Sequence, residues 1–256
     1  MSTITTEIIK ELRDETGVSI MQCKKALEDS GGDVEKAKVI LAKQSRAAAE
    51  KKADRNLGDG LIITRQKGDQ VAILVLRCET DFVAKNDDFI KVANDLTDMA
   101  LEIGIEKTKE AAQGMLDPLV QKIGENMALG ELSILEGSPM GIYNHNGKNV
   151  AVVVMMGGTA DLARDIAMHI TAMKPRFLSK DEINEVDMEN AKAVFEESVA
   201  DKPDDMKAKI LEGKLNTYFK DFTLLEQNFV KNPDKTIEQL LKDNDAGIAL
   251  YEHVMI

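Results

Sequence analysis

Aromatic side chains and cysteine are scarce in this sequence. Its 256 residues include no Trp, three Tyr and seven Phe, so aliphatic residues and Met must build the core. The two cysteines, Cys23 and Cys78, are far apart and form no Cys-x-x-Cys spacing. This pattern argues against a disulfide framework and a zinc knuckle, and it indicates two buried, reduced thiols.

Targeting and membrane signals are also missing. Residues 1–6 contain no basic segment followed by an apolar run, so we expect no signal peptide. No apolar run approaches the length needed to cross a bilayer. We therefore expect a cytoplasmic protein that makes no contact with a membrane.

Cationic charge is in deficit, and the deficit is uneven. The formal net charge is −12, yet residues 1–56 contain 11 Lys and Arg against 10 Asp and Glu, so the rest of the chain carries the negative charge. A protein that binds the phosphate backbone of a nucleic acid needs a cationic surface. The composition therefore predicts no direct nucleic-acid binding, and it favours protein partners that offer a basic face.

Catalytic and cofactor motifs are absent as well. There is no Walker loop, no Gly-x-Gly-x-x-Gly and no His-Glu-x-x-His, and the three histidines lack the spacing of metal ligands. His145 lies beside a predicted turn, where it has either an exposed contact role or no particular role. His169 is expected to be packed or half-exposed within a helix. Residues 157–159 (Gly-Gly-Thr) form either a phosphate cradle or, more simply, a tight turn. We expect no cofactor, no metal and no covalent chemistry.

The first 56 residues predict a three-helix docking module. Apolar spacing places a helix over residues 6–15, the Ser19–Gln22 stretch has the form of a capping box that opens a second, and Asp33 caps a third. Residues 43–57 are rich in Ala, Lys and Arg, which indicates that the third helix continues as an exposed, semi-rigid linker. Such a bundle is too small to enclose a catalytic cleft.

An internal repeat follows. Residues 60–76 and residues 141–155 each contain two strands around a Gly-containing hairpin turn, and each copy leads into an amphipathic helix. Aligning the strands and then the helices leaves about six additional residues in the first copy, Thr-Asp-Phe-Val-Ala-Lys (80–85). The pattern predicts two related α+β subdomains with antiparallel sheets, and therefore an α+β fold.

The additional segment is unusual because it places an acid and a large apolar ring, Asp81 and Phe82, where turns normally carry small polar residues. Such a ring packs either into its own core or into that of a partner. Since the second copy lacks the segment, the fold does not depend on it, which favours an external role without excluding the internal one. For Asp81, repulsion of a phosphate and capping of the following turn are both open.

Five further elements are predicted in the rest of the chain. Residues 104–140 contain a short helical pattern and then a strand at Met127–Leu135. Residues 179–228 form an inserted αα-hairpin, with Met188, Ala191, Phe195 and Val199 on one stripe. This stripe packs either on its own domain or on a second copy of the chain as a homodimer. A helix at 235–243 and a strand at Ile248–Ile256 close the chain.

Four stretches of the sequence resemble the elongation factor Ts family, the guanine-nucleotide exchange factors for elongation factor Tu. They are LRDETGVSIMQCKKAL (12–27), CETDFVAKN (78–86), KIGEN (122–126) and IAMHI (166–170), and the resemblance extends from residue 4 to about 245. It implies a module similar to a ubiquitin-associated (UBA) domain at 1–56 and a core N-subdomain at 57–140 that carries the Thr-Asp-Phe-Val loop. It further implies a core C-subdomain at 141–178 and 229–256, with the dimerising hairpin at 179–228 between its two parts.

The resemblance also implies the residues that meet the partner. The loop Thr80, Asp81, Phe82 and Val83 would enter the nucleotide domain of elongation factor Tu, dislodge its magnesium ion and release GDP. Further contacts would fall on Leu12, Ile20, Met21, Lys24, Ile123, Gly124, His145 and Val230. Family members commonly continue into a final helix, whereas this sequence stops at Ile256, so one partner contact is expected to be missing or replaced. The alternative is an adaptor that binds through its N-terminal module without exchange activity.

Overall fold

The computed structural model describes residues 4–197 and 203–256, apart from the side chains of residues 204 and 205. The described residues form two compact units. One comprises the chain up to Glu136 together with 146–148 and 255–256, and the other comprises 137–145 and 149–254. Each contains a three-stranded sheet and helices, which confirms the predicted α+β class.

The first unit begins with the three predicted helices. They are α1 (Thr6–Thr16), α2 (Ile20–Asp29) and α3 (Val34–Glu50), and the side chains of Thr5, Ser19 and Asp33 accept a backbone N–H at their N-termini. Helix α1 ends at Gly17, whose φ of 68° lies in the left-handed region that favours glycine. Their apolar faces share one core built from Leu12, Val18, Cys23, Leu27 and Leu41.

The exposed linker helix predicted for residues 43–57 is wrong in two respects. Helix α3 ends at Glu50, and Ser45 and Ala49 within it are buried. Ser45 donates a hydrogen bond to the side chain of Gln121, 76 residues further along the chain. This stretch of α3 is therefore packed against the rest of its unit, whereas a spacer helix would be exposed on all sides.

The sheet of the first unit is formed by β1 (Asp59–Lys67), β2 (Gln70–Cys78) and β3 (Met127–Glu136), paired antiparallel in that order. Helices α4 (Asp81–Ala84), α5 (Asp87–Ile103) and α6 (Ile105–Ile123) lie between β2 and β3 in the sequence. The short helical pattern expected after residue 104 is in fact the 19-residue helix α6, which contains Pro118.

The second unit contains the second copy of the hairpin-and-helix motif. Strands β4 (Met140–His145) and β5 (Asn149–Met156) form an antiparallel hairpin that leads into α7 (Ala160–Met173), and β8 (Gly247–Met255) lies on the other side of β5. The predicted relationship between the two hairpin-and-helix copies is confirmed by this topology.

The inserted hairpin consists of α8 (Glu185–Glu196) and α9 (Asp204–Phe222). Its two helices share a small apolar core with Phe177, and the predicted stripe residues Met188, Ala191 and Phe195 belong to it. Val199, also predicted on this stripe, lies outside the described residues. After α9 come β6 (Asn228–Phe229), β7 (Asn232–Thr236) and α10 (Ile237–Asp243), of which the two short strands were not predicted.

Candidate functional site

Helix α4 turns the side chain of Phe82 away from the protein. Phe82 is 82% exposed, whereas the next two residues, Val83 and Ala84, are each only 5% exposed and belong to the core of the first unit. Successive side chains on a helix point about 100° apart, so anchoring Val83 in the core directs Phe82 outward. Of the two alternatives for this ring, packing into its own core is thereby ruled out in this structure.

Asp81 does not have the capping role considered for it. Thr80 occupies the N-cap position of α4, and the following helix α5 is capped by Asn86, whose side chain accepts the N–H of Asp88 at 3.0 Å. Asp81 instead accepts a hydrogen bond of 2.7 Å from Nζ of Lys85, one helical turn later. This contact raises the pKa of Lys85, so the exposed end of α4 carries a paired acid and base.

The base of α4 is tied to the segment that follows α6. The hydroxyl of Thr80 donates to the carboxylate of Glu125, with oxygen–oxygen distances of 2.9 and 3.1 Å. The neighbouring Glu79 accepts the backbone N–H of Asn126 at 2.5 Å and pairs with Arg55 at 3.3 Å. The hydrogen bonds to Glu125 and Asn126 thus hold together two stretches, 79–80 and 125–126, that are about 45 residues apart in the sequence.

Ile123 and Gly124 lie next to this connection. Ile123 ends α6 and packs partly into the core, while Gly124 is exposed with a φ of 90° at the C-terminus of the helix. The structure therefore brings the predicted loop residues Thr80 to Val83 close to the predicted contacts at 123–124. Sequence reasoning missed Glu79 and Glu125 as supports, although both lie within stretches that resemble the family.

Three of the predicted contacts in the N-terminal module share an exposed region at the start of α2. Ile20 and Met21 are 57% and 78% exposed, and Lys24 follows one turn later with an exposed side chain beside Glu28. Leu12 differs from them because it is 1% exposed and packs inside the module. Its side chain offers no surface to a partner in this conformation, and its role as a partner contact stays a prediction.

The remaining predicted contacts belong to the second unit. His145 is exposed at the end of β4, as expected, and its ring stacks on that of Tyr143 with centroids 6.3 Å apart. Val230 is 37% exposed in the turn between β6 and β7. His169, expected to be packed or half-exposed, is completely buried in α7.

The Gly-Gly-Thr turn is accounted for by packing. Gly157 and Gly158 have φ values of 74° and 73°, and a Cβ at Gly157 would lie 2.7 Å from the carbonyl oxygen of Asp245. Thr159 accepts the N–H of Leu162 and thereby caps α7. This is the tight-turn alternative, since packing and helix capping account for all three residues.

Two other candidate chemistries find no support. Burial raises the pKa of the Cys23 thiol, and it raises that of Cys78 to about 11, so both thiols remain protonated and weakly nucleophilic at neutral pH. Among residues 4–197 and 203–256, no three His, Cys, Asp or Glu side chains cluster as metal ligands would. None of the helices in those ranges combines the length and apolar character that crossing a membrane would require.

Comparison with known proteins bears on the whole chain. A family model described as "Elongation factor TS" matches residues 79–255. Proteins named Elongation factor Ts from Hydrogenovibrio crunogenus and Hydrogenobaculum sp. are each 37% identical over 96% of this chain, and the alignments cover 89% and 96% of those proteins. That from Marinobacter nauticus is 38% identical over 94% of this chain and 87% of its own length. The chain therefore belongs to the elongation factor Ts family.

Proposed function

We propose that this chain is a guanine-nucleotide exchange factor that binds the GDP form of elongation factor Tu and promotes release of the nucleotide. Membership of the elongation factor Ts family supports the choice of partner. The observation that carries the proposal for this particular chain is the exposed ring of Phe82 on a helical turn that Val83 and Ala84 anchor in the core.

The ring of Phe82 acts as a wedge in this proposal. Burying a Phe side chain in a partner stabilises the complex by about 1.5–3 kcal/mol, and each 1.4 kcal/mol corresponds to tenfold in affinity. This energy offsets a distortion of the nucleotide site. If the distortion displaces the bound magnesium ion, the phosphates of GDP lose the strongest positive charge beside them and the nucleotide dissociates faster.

The anchoring of α4 makes the wedge effective. Val83 and Ala84 fix the helix in the core, and the Thr80–Glu125 hydrogen bonds hold its N-cap residue. A group that is already oriented loses little conformational entropy on binding. Because Asp81 is paired with Lys85, we assign the displacement of magnesium to the ring of Phe82 rather than to repulsion by the carboxylate.

The other contacts supply binding energy away from the nucleotide. In the first unit these are the α2 side chains Ile20, Met21 and Lys24 and the 123–124 segment, and in the second they are His145 and Val230. An exchange factor must bind the empty partner more tightly than the GDP-bound one, and linkage requires GDP to weaken the factor by the same ratio. The chain needs no cofactor, and covalent chemistry has no part in this exchange.

A homodimer through the inserted hairpin is part of the proposal. Val186 and Val194, two turns apart on α8, are 63% and 71% exposed. They leave an apolar strip on the hairpin that a second copy of the chain would cover. Nucleotide exchange by the Phe82 wedge does not depend on this dimer.

The experiment is stopped-flow release of a fluorescent GDP from elongation factor Tu. We expect the wild-type chain to accelerate release and Phe82→Ala to lose about tenfold to a hundredfold of that acceleration, because the burial energy of the ring is missing. Ile103→Ala is the matched control, since this exposed apolar residue ends α5 in the same unit and belongs to none of the proposed contacts. Both variants should unfold at nearly the wild-type temperature.

The outcomes separate the alternatives. If the chain is an adaptor that binds only through its N-terminal module, adding the wild-type chain will not change the rate of GDP release. A folded Phe82→Ala variant that still accelerates release as wild type does would contradict the wedge.

A further inference from the structure

His169 is a buried titratable side chain that the proposed exchange mechanism does not use. It lies in α7 and is 0% exposed. A polar ring at this depth needs partners for both nitrogens. It has them: Nε2 lies 3.0 Å from Oε1 of Gln227, and Nδ1 lies 3.3 Å from the backbone nitrogen of Val230.

The partners fix which nitrogen carries the proton. The backbone nitrogen of Val230 can only donate, so Nδ1 must be the unprotonated acceptor, and Nε2–H then donates to Gln227. The amide of Gln227 is oriented from its other side, because its Nε2 donates to the carbonyl oxygen of Asp221 at 2.6 Å. Burial also lowers the pKa of His169, which keeps the ring neutral.

The segment that donates this hydrogen bond is the short turn of the β6–β7 hairpin. Val230 and Lys231 form this turn between the two-residue strand β6 and strand β7, directly after the buried Phe229. A second contact comes from the same face of α7, where Asp165, one turn before His169, pairs with Lys231 at 2.5 Å. Two adjacent turns of α7 thus hold the two residues of the β6–β7 turn.

From this geometry we infer that His169 is a positioning residue, which through Nδ1 holds the β6–β7 turn so that the exposed side chain of Val230 is oriented toward the partner. The inference rests on the proposed function, because Val230 is a partner contact only there. His169 itself touches neither the partner nor the nucleotide.

Two substitutions of His169 each remove one of its two hydrogen bonds and keep the other. His169→Asn places an amide oxygen near the position of Nδ1, so it keeps an acceptor for the N–H of Val230 and loses the bond to Gln227. His169→Gln places an amide nitrogen near the position of Nε2, so it keeps the donor to Gln227 and loses the acceptor for Val230. Each variant removes one buried hydrogen bond, so a purely structural role predicts similar effects of both.

The expected results differ between the variants. In the release assay, His169→Gln should raise the concentration of the chain that gives half-maximal acceleration by about fivefold to tenfold, because an unheld turn must be ordered on binding. The maximal rate should stay at the wild-type value, since Phe82 is intact. His169→Asn should stay within about twofold of wild type in both quantities. Equal effects of the two variants would overturn the inference.

Nuclear magnetic resonance of the free wild-type chain provides a test without partner or substitution. The ring ¹⁵N shifts of His169 should report the neutral Nε2–H tautomer, and the amide proton of Val230 should be protected from exchange. The Nδ1–H tautomer, or an unprotected amide of Val230, would overturn the inference even if GDP release by the wild-type chain is normal. If the wild-type chain did not accelerate GDP release from elongation factor Tu, that result would instead count against the proposed function.

Discussion

Between β2 and α5 the chain uses eight residues, 79–86, whereas between β5 and α7 it uses three, 157–159. The longer junction forms α4 and presents Phe82 to solvent. The shorter junction is a left-handed turn packed closely against Asp245. Both connect a hairpin to the helix that covers it, so the second copy shows the minimum that this connection requires.

The difference separates residues that the fold needs from residues that it does not. Val83 and Ala84 belong to the core, and the glycines of the shorter turn are exposed but packed closely against Asp245. Phe82, in contrast, contributes almost nothing to the core of its own unit. An exposed aromatic ring costs the protein solubility and returns no stability of its own. Its presence in one copy and absence from the other supports the external role proposed for it.

The largest effect is expected from removing the difference altogether. Replacing residues 79–86 with Gly-Gly-Thr should leave a folded protein, because the second copy folds with this three-residue junction, although the loss of the buried Val83 and Ala84 should lower its stability. Acceleration of GDP release should fall by about a hundredfold or more, since the wedge and its support are both lost. Thermal unfolding followed by circular dichroism and the stopped-flow assay together check this. A folded chimera that still accelerates release would contradict the external role.

A change in the short junction should lower stability and leave GDP release unaffected. Gly157→Ala introduces a Cβ at a φ of 74° and 2.7 Å from the carbonyl oxygen of Asp245. We expect the free energy of unfolding to fall by about 1–3 kcal/mol, with the maximal rate of GDP release unchanged. Urea denaturation measures the loss.

The matched control for this substitution is Gly114→Ala. Gly114 lies within α6, and an added Cβ there would meet no atom within 4 Å. Removing a glycine from a helix interior should stabilise the protein by about 0.5–1 kcal/mol. Equal destabilisation by both substitutions would show that close packing is not the reason for the glycine at 157.

The smallest effect is expected at the support of the long junction. Glu125→Gln removes the charge from the acceptor of the Thr80 hydroxyl but retains an oxygen, so the hydrogen bond weakens without being lost. GDP release should slow by about twofold to fivefold. Glu106→Gln, an exposed acid in the first turn of α6, is the control and should have no effect. A loss as large as that of Phe82→Ala would mean that Glu125 has a direct role.

Local patterns predicted the fold well where they were regular. The alternating hairpins, the three N-terminal helices and their capping residues Ser19 and Asp33 were all readable from spacing. Helix α6 was predicted too short because Gly114 and Pro118 indicate breaks, which packing on the sheet of the first unit overrides. The burial of Ser45 depends on Gln121, and no local pattern contains that pairing.

The candidate site also combines features that local sequence indicates with features that only the fold reveals. Comparing two copies of one motif favoured an exposed Phe82 from the sequence alone, and the structure decided between this and burial in its own core. The attachment of Thr80 to Glu125 and of Val230 to His169 joins residues 45 and 61 positions apart, so it became visible only in the fold. The burial of Leu12 was likewise not apparent from the resemblance, which implied a partner contact for a side chain that packs inside the module.

The central claim is that Phe82 couples partner binding to loss of GDP. The most direct test measures the affinity of the chain for nucleotide-free and for GDP-bound elongation factor Tu by titration calorimetry. We predict that the wild-type chain and Ile103→Ala bind the nucleotide-free partner far more tightly, and that Phe82→Ala reduces the ratio of the two affinities by about tenfold to a hundredfold. A Phe82→Ala variant that lowers both affinities equally, leaving the ratio at its wild-type value, would contradict the account.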